Sequence, residues 1–256
     1  MGILKRLVSA CRRTFFEQVA DRRTDIRLSP SVISLCFDDV PKSAVTNGLP
    51  ILAQEGVRAT FYVALEIQDE SPHDAHGEGG SSDFISGEEV RMLHRAGHHI
   101  GCHTLSHFDI AAGSAEALVR DCNQSRVELS RLIDGEPIEH FAYPRGAVTL
   151  AAKEALGRDY KTLRGVYGGI NSGSIDLTML RANNIYSGRL DHQALAKLIL
   201  ENEKRSGWLI LYTHGVEENP DAWSTSPGDL LKVVRLCKAS GCRMLTVSEA
   251  YEALGV

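Results

Sequence analysis

The 256-residue sequence lacks the features that define several large classes of protein. It has no apolar run that approaches the length of a membrane-spanning helix. Its net charge of -5 gives no reason to expect nucleic acid as a partner. No glycine-rich phosphate fingerprint follows the first apolar segment, which argues against a nucleotide-binding open sheet. The sequence is therefore typical of a soluble α/β protein and indicates no nucleotide, nucleic-acid or membrane function.

The six cysteines form no CxxC pair and no dense framework. In a chain of this size we expect reduced thiols that fill the core rather than disulfides. The segment after Met1 shows no secretory pattern, because charged residues interrupt each apolar run before a signal core can form. The sequence therefore predicts a cytoplasmic protein.

An amphipathic helix is predicted near the N-terminus, since residues 3–20 have apolar positions at helical spacing and several basic residues nearby. We expect residues 1–28 to form this helix and pack it on a main domain of residues 29–256. The alternative interpretation is a basic helix that makes weak contact with an anionic membrane surface. The packed helix is favoured, because core helices with a charged outer face are common.

Strand and helix patterns alternate along the rest of the chain. The predicted strands are 32–37, 57–63, 98–102, 139–143, 160–165, 180–186, 208–213 and 243–247. The predicted helices are 43–55, 86–96, 114–133, 147–158, 190–205, 227–240 and 248–254. Seven or eight such units favour a (β/α) barrel over an open sheet. The polar, glycine-rich stretch 69–82 is predicted to be a loop and a candidate lid over the ligand-binding face.

Two adjacent carboxylates, Asp38 and Asp39, close the apolar run 32–37. Charged groups at the end of a buried strand require a cation or hydrogen-bond donors to neutralise them. In parallel α/β sheets the active site lies at that end of the strands. The pair therefore predicts a metal, with further ligands elsewhere in the chain.

His103 and His107 follow the predicted strand 98–102 at a spacing that lets both imidazoles reach one metal on a helical turn. With one carboxylate they provide two nitrogens and one oxygen, and leave positions open for water and substrate. This set fits catalytic zinc and, by ligand count, equally fits non-haem iron(II). His214 ends the strongly apolar strand 208–213, and is either part of the same site or a hydrogen-bonded strand-end histidine.

Four segments, in order, resemble motifs of the polysaccharide deacetylases, the NodB-homology or carbohydrate esterase family 4 enzymes. They are Phe37-Asp38-Asp39-Val40-Pro41, His103-Thr104-Leu105-Ser106-His107, Phe141-Ala142-Tyr143-Pro144-Arg145-Gly146 and Leu211-Tyr212-Thr213-His214. The resemblance spans roughly residues 32 to 250. It implies an α/β fold of the NodB-homology type, a distorted (β/α)7-type barrel.

The resemblance also implies a role for each matching residue. Asp39, His103 and His107 would bind one divalent metal ion, with zinc expected first and cobalt, nickel, manganese or iron as alternatives. Asp38 would be the general base, and His214 the general acid that protonates the leaving amine. The backbone N–H of Arg145 would stabilise the oxyanion. The expected substrate contacts are Tyr143, Leu211, Arg164 and Trp223.

The chain has no convincing match to the tryptophan-containing fourth motif of the family, and it departs from the pattern at two further positions. Val40 stands where the first motif usually has glycine, and Pro41 is expected to push Val40 toward extended geometry. Ala142 stands where the third motif commonly has an arginine that supports the base carboxylate. We hypothesise that Arg164, at the end of the next strand, replaces that arginine in space; the alternative is a surface arginine.

The sequence thus predicts a metal-dependent hydrolase that removes N-acetyl groups from an amino sugar, an oligosaccharide or a polysaccharide precursor. One alternative is a C–N hydrolase that acts on a non-sugar amide, since allantoinase-like enzymes are similar to this family. Another is a non-haem iron oxygenase, which the ligand set alone allows. The expected partner is a carbohydrate or small amide substrate.

Overall fold

The computed structural model describes residues 22–67 and 84–256. The predicted N-terminal helix at residues 3–20 and the predicted lid at residues 69–82 lie outside these residues. Within the described part of the chain, no helix combines the length and the apolar character of a membrane span.

Strands and helices alternate along the described residues. The strands are β1 (Arg23–Ile26), β2 (Val32–Asp39), β3 (Thr60–Val63), β4 (His99–Cys102), β5 (His140–Ala142), β6 (Thr162–Arg164), β7 (Gly173–Asp176), β8 (Asn183–Asn184), β9 (Trp208–Thr213) and β10 (Arg243–Met244). The helices are α1 (Leu49–Glu55), α2 (Gly87–Arg95), α3 (Ala115–Leu132), α4 (Leu150–Gly157), α5 (His192–Lys204), α6 (Pro227–Lys238) and α7 (Val247–Glu252). A π-helical turn at Ala44–Gly48 precedes α1, and a 3-10 turn at Pro144–Gly146 follows β5.

The main sheet is parallel, with the strand order β6-β5-β4-β3-β2-β9-β8, and β10 pairs with the start of β2. The chain between β7 and β8 hydrogen-bonds to β6 through Leu180, whose N–H lies 2.9 Å from the Leu163 carbonyl. It then continues into β8, beside β9. The sheet therefore curls on itself, and the predicted α/β fold with a distorted barrel is confirmed.

Strand β2 lies inside the sheet between β3 and β9, and all eight of its residues are buried. Its side chains alternate between two cores, as the two-residue period of a strand requires. Ile33, Leu35 and Phe37 belong to the larger core, which also contains helix residues, whereas Val32 and Cys36 belong to a smaller core inside the sheet. A strand buried on both faces brings its last two residues, the carboxylates, into a site with little water.

The helix starts follow ordinary capping chemistry. Ser86 forms a capping box with Glu89, and the Ser114 hydroxyl accepts a hydrogen bond from the Ala117 N–H. The final helix begins at Val247, one residue before the predicted start, because Thr246 forms its capping box with Glu249.

The structure differs from the prediction in three short strands, β1, β7 and β8. The predicted strand 180–186 is regular only over two residues, because this segment must leave β6 and join β9 within a few residues. The antiparallel pair of β1 and β7 was missed, since both strands are polar and largely exposed. Arg23–Ile26 is thus a strand, although it fell within the 1–28 segment predicted as the helical unit.

Three histidines lie near the amino ends of the parallel strands, away from the carboxylates. The His140 ring is 5.0 Å from the His99 ring, and its Nδ1 lies 2.8 Å from the Thr162 hydroxyl. Burial, assisted by nearby His99, Lys161 and Arg22, holds the pKa of His140 well below its usual range. Burial also lowers the pKa of His98 to about 4, with a smaller effect from Arg58. These side chains are neutral in the folded protein.

Acid should therefore weaken the fold through His140. In the unfolded chain a histidine binds a proton below about pH 6.5, whereas folded His140 does not, so the free energy of unfolding falls as the pH drops below that value. Between pH 7.5 and pH 5 we expect His140 to contribute a loss of about 2 kcal/mol. Urea unfolding at both pH values measures this loss. It should be smaller in His140→Gln, and an identical pH dependence in both proteins would contradict the assignment.

Candidate active site

A cavity of about 330 Å³ lies at the carboxyl ends of the parallel strands. Its walls combine acidic, imidazole and aromatic side chains, which is the composition of a ligand site rather than of a packing defect. The lining residues are Asp38, Asp39, His103, His107, Tyr143, Arg145, Gly146, Val166, Tyr186, Tyr212, His214 and Trp223.

Asp39 is the meeting point of the histidines. Its Oδ1 lies 3.1 Å from His103 Nε2 and 3.3 Å from His107 Nε2. The ligand atoms of these three buried residues lie within 4.8 Å of one another. The structure thus brings together the carboxylate and the two histidines that the sequence singled out.

The segment that carries the two histidines is a loop, not the helical turn expected from their spacing. Thr104 and His107 have left-handed backbone conformations, with φ of 66° and 53°. Asp121 of α3 holds the loop by accepting hydrogen bonds from the Leu105 N–H and the Ser106 hydroxyl, each at 2.5 Å. Asp121 was missed, since nothing in its local sequence links it to residues 16 positions earlier.

The donor set fits a divalent cation. His103 Nδ1 lies 2.8 Å from the carbonyl of Ala142, so it donates its proton there and directs Nε2 at Asp39. Among the residues that the structure describes, none hydrogen-bonds to the buried Asp39 Oδ1. Burial raises the pKa of Asp39, but His107, His103 and His214 lower it by more, so the carboxyl stays ionised. A buried anion faced by two imidazole nitrogens is the arrangement that metal ions of the zinc type occupy.

Asp38 is paired with Arg164. The Arg164 Nη2 lies 2.5 Å from Asp38 Oδ1, and its Nη1 donates to the Gly165 carbonyl at 3.1 Å. The guanidinium is fully buried, with the rings of Tyr62 and Tyr212 each 5.0 Å away. Burial opposes the charge on Arg164, but the Asp38 carboxylate more than offsets this effect and raises the pKa of the arginine.

Arg164 therefore lies beside Asp38, as hypothesised, and is not a surface residue. It does not line the cavity, so the structure does not support the expectation that it contacts substrate. Its cross-strand neighbour in the parallel ladder is Ala142, the position where the family motif carries arginine.

His214 follows β9 and reaches the same cluster from the opposite side. Its Nε2 lies 3.5 Å from Asp39 Oδ2, and its Nδ1 lies 3.2 Å from the Tyr186 hydroxyl. Its backbone N–H donates to the Trp223 carbonyl. The histidine is thus part of the site geometry and not merely a strand-end residue.

The turn after β2 is strained. Asp39 and Val40 both have φ of 59°, and the Val40 N–H lies 2.5 Å from the Asp38 carbonyl. The expectation of an extended Val40 is wrong, because this tight turn requires positive φ at both residues. A β-branched residue rarely adopts this conformation, and such strain is concentrated at functional sites.

The structure places the expected substrate contacts in different surroundings. Tyr143 and Trp223 line the cavity, and so does Arg145, whose φ is 55°. Leu211 does not: its side chain packs in the larger core with Leu209, because alternation along β9 turns Tyr212 toward the cavity instead.

The chain is similar to known proteins of one family. The family model described as polysaccharide deacetylase matches residues 25–162. A chitin deacetylase of Colletotrichum lindemuthianum is 24% identical over 220 residues, which cover 86% of this chain and 79% of the relative. A chitin deacetylase of Pestalotiopsis sp is 28% identical over 108 residues, 42% of this chain and only 32% of the relative. The chain thus spans about a third of the latter enzyme's length.

Solved structures show the same fold. A family 4 acetyl xylan esterase from Clostridium thermocellum, in complex with a cobalt ion, superposes with a TM-score of 0.61 at 20% identity, over 88% of this chain and 93% of that one. The chitin deacetylase from Colletotrichum lindemuthianum gives a TM-score of 0.58 at 22% identity, over 90% of each chain.

These relatives correct one prediction. The cytoplasmic location inferred from the sequence is wrong by this comparison, because the curated relatives are fungal chitin deacetylases, and such homologues are secreted or cell-wall enzymes.

The enzyme class predicted from the motifs is confirmed. The family match covers more than half of the chain, from β1 to the start of β6, and includes both carboxylates and both loop histidines. The chain belongs to the polysaccharide deacetylase family of hydrolases.

Proposed function

We propose that this protein is a metal-dependent deacetylase that hydrolyses the N-acetyl group of an amino sugar within an oligosaccharide or polysaccharide. The observation that carries the proposal is the convergence of Asp39, His103 and His107 on one point, with Asp38 and His214 beside it in the same cavity. Amide hydrolysis needs an activated water, a charge sink for the oxyanion and a proton for the amine, and this cluster has a residue for each requirement.

Asp39, His103 and His107 would hold the metal ion. Two imidazole nitrogens and one carboxylate oxygen suit zinc best, while cobalt, nickel, manganese and iron also accept this set. When bound, a divalent ion supplies Lewis acidity and lowers the pKa of a coordinated water. The hydrogen bond from His103 to Ala142 supports this role, since it fixes the tautomer whose Nε2 accepts a metal.

Asp38 is assigned as the general base. It is adjacent to the metal-binding carboxylate, and the buried Arg164 bonds its Oδ1 and so holds the group in one orientation. Oδ2 is then the atom that takes the proton from the attacking water. A carboxylate engaged with the metal cannot serve in this way, so the two adjacent acids have different tasks.

His214 is assigned as the general acid. It lines the cavity, with its Nε2 3.5 Å from Asp39 Oδ2. From there its Nε2–H can be transferred to the leaving nitrogen as the C–N bond breaks. The backbone N–H of Arg145, on the cavity rim, is assigned to the oxyanion.

The aromatic side chains Tyr143, Tyr212 and Trp223 form the apolar part of the cavity wall. Flat apolar faces beside charged groups suit a pyranose ring, whose C–H faces stack on aromatic rings while its hydroxyls stay hydrated. This composition favours a sugar substrate over a small, non-sugar amide.

Acetate release from a panel of substrates tests the activity. We expect the zinc- or cobalt-loaded enzyme to deacetylate N-acetylglucosamine oligomers, with O-acetyl xylan and small non-sugar amides as comparison substrates. Asp38→Asn should lower kcat by about 10²–10⁴-fold, because it removes the general base. Its metal content should be unchanged. Asp159→Asn, which alters an exposed carboxylate, is the control. No acetate from any N-acetylated sugar would refute the proposal.

Metal analysis after dialysis tests the ligand set. The wild-type chain should retain about one divalent ion, and the ion should raise its Tm because it binds the folded state alone. The double variant Asp39→Ala/His103→Ala should retain none and show no shift in Tm. His94→Ala, which removes a histidine of α2 outside the cavity, should bind metal as the wild type does. Full occupancy in the double variant would exclude these ligands.

The position of the supporting arginine can be tested by moving it. Arg164→Ala should lower activity at least tenfold with metal retained, and should cost about 3–5 kcal/mol of stability by leaving Asp38 buried and unpaired. Because residues 142 and 164 are cross-strand neighbours, the added substitution Ala142→Arg should restore part of the activity and part of the stability. Unchanged kinetics in Arg164→Ala would contradict the role of the pair.

A further inference from the structure

Tyr186 is a buried tyrosine of the cavity that the sequence motifs do not include. It follows β8, is 2% exposed, and lines the cavity. Its hydroxyl lies 3.2 Å from His214 Nδ1. It therefore contacts the nitrogen of His214 that faces away from the metal ligands.

The Tyr186 ring is held by its neighbours on several sides. The rings of Tyr212 and Trp223 pack edge-on against it, each with centroids 5.7 Å away. The guanidinium of Arg189 lies 5.8 Å from its centroid. The position of the hydroxyl is thus set by packing and does not depend on the hydrogen bond itself.

The other side of the imidazole has an anionic neighbour. His214 Nε2 lies 3.5 Å from Asp39 Oδ2, so this nitrogen faces the carboxylate. A flip of the imidazole ring would therefore move Nδ1 away from the Tyr186 hydroxyl and Nε2 away from the Asp39 carboxylate. The two contacts together define which nitrogen faces the reacting atoms.

We propose that Tyr186 is the positioning residue of the general acid, and that its hydroxyl holds the His214 imidazole with Nε2–H directed at the leaving nitrogen. The inference rests on the proposed deacetylase function. During the reaction the Nε2–H bond breaks and an N–H bond forms on the leaving amine, while the Nδ1–H stays hydrogen-bonded to the phenol oxygen. The phenol neither gains nor loses a proton.

A phenol suits this cavity for an electrostatic reason. Asp38 and Asp39 already place two carboxylates in it, and a third beside His214 would add further buried negative charge. A hydroxyl both accepts from a protonated Nδ1 and donates to an unprotonated one, so it holds either form of the ring. Burial, with a further contribution from Tyr212, raises the pKa of Tyr186, so the phenol stays neutral.

The variant Tyr186→Phe removes the hydroxyl and keeps the ring that packs on Tyr212 and Trp223. With metal-loaded enzyme and an N-acetylglucosamine oligomer, kcat should fall about 10- to 100-fold, while KM and metal content change less than about twofold. With 4-nitrophenyl acetate the rate should change less than about twofold, because the phenolate leaves without protonation. Loss of the amide reaction alone is a signature that general disruption of the fold would not give.

The matched control is Tyr251→Phe. Tyr251 on α7 also lies beside a histidine, with its ring centroid 5.7 Å from that of His140, but it lies outside the cavity. Its variant should keep wild-type rates on both substrates. In a His214→Ala background, Tyr186→Phe should have little further effect, since the tyrosine acts through that histidine.

Three results would overturn the proposal. They are an unchanged amide kcat in Tyr186→Phe, an equal loss on amide and aryl ester, or an undiminished effect of the substitution when His214 is absent. Each differs from failure of the deacetylase function, which would appear as a wild-type enzyme that releases acetate from the aryl ester and from no N-acetylated sugar.

Discussion

The site is organised by two adjacent carboxylates held at the end of the longest fully buried strand. Strand β2 has no exposed residue, so Asp38 and Asp39 lose most of their hydration and need positive partners from the protein. Each has a different partner: Arg164 bonds Asp38 from inside the sheet, while the histidines surround Asp39. In a dry site a charge without its partner costs several kcal/mol, so β4, β6 and β9 must place their terminal residues within narrow limits.

Strand alternation explains how one sheet supplies both a core and a reactive surface. Along β9, Leu209 and Leu211 pack in the larger core with helix residues, whereas Tyr212 and then His214 belong to the cavity. Along β6, the last residue, Arg164, points inward to Asp38, and its neighbour Ala142 leaves the space that the guanidinium needs. The small side chain of Ala142 and the large side chain of Arg164 are thus complementary across the ladder.

The chemistry of the site was more predictable from sequence than its geometry. Asp39, His103, His107 and His214 were identifiable because each follows an apolar strand and matches a motif. The position of Arg164 beside Asp38 was predictable only because Ala142 stands where the motif commonly has an arginine, so that another arginine was needed there. Leu211 was expected to contact substrate because the motif alone does not show on which face of the strand its side chain lies. Tyr186 was missed because its contact with His214 joins residues 28 positions apart. Asp121, which holds the histidine loop, depends likewise on how α3 packs beside β4. Such contacts are properties of the packed sheet, and local sequence patterns do not encode them.

The backbone at the site is less relaxed than the sequence suggested. Asp39, Val40, Thr104, His107 and Arg145 all adopt positive φ without being glycine, and all lie on the two loops and the turn that carry the reactive groups. Such a conformation costs about 1–2 kcal/mol for an ordinary residue. At Val40 the cost is offset, because its side chain is fully buried in the larger core and contributes about 1.5–3 kcal/mol there. Glycine at this position would relieve the strain but lose that packing. The valine therefore anchors the turn to the core, and this anchoring fixes the direction in which Asp39 faces the histidines.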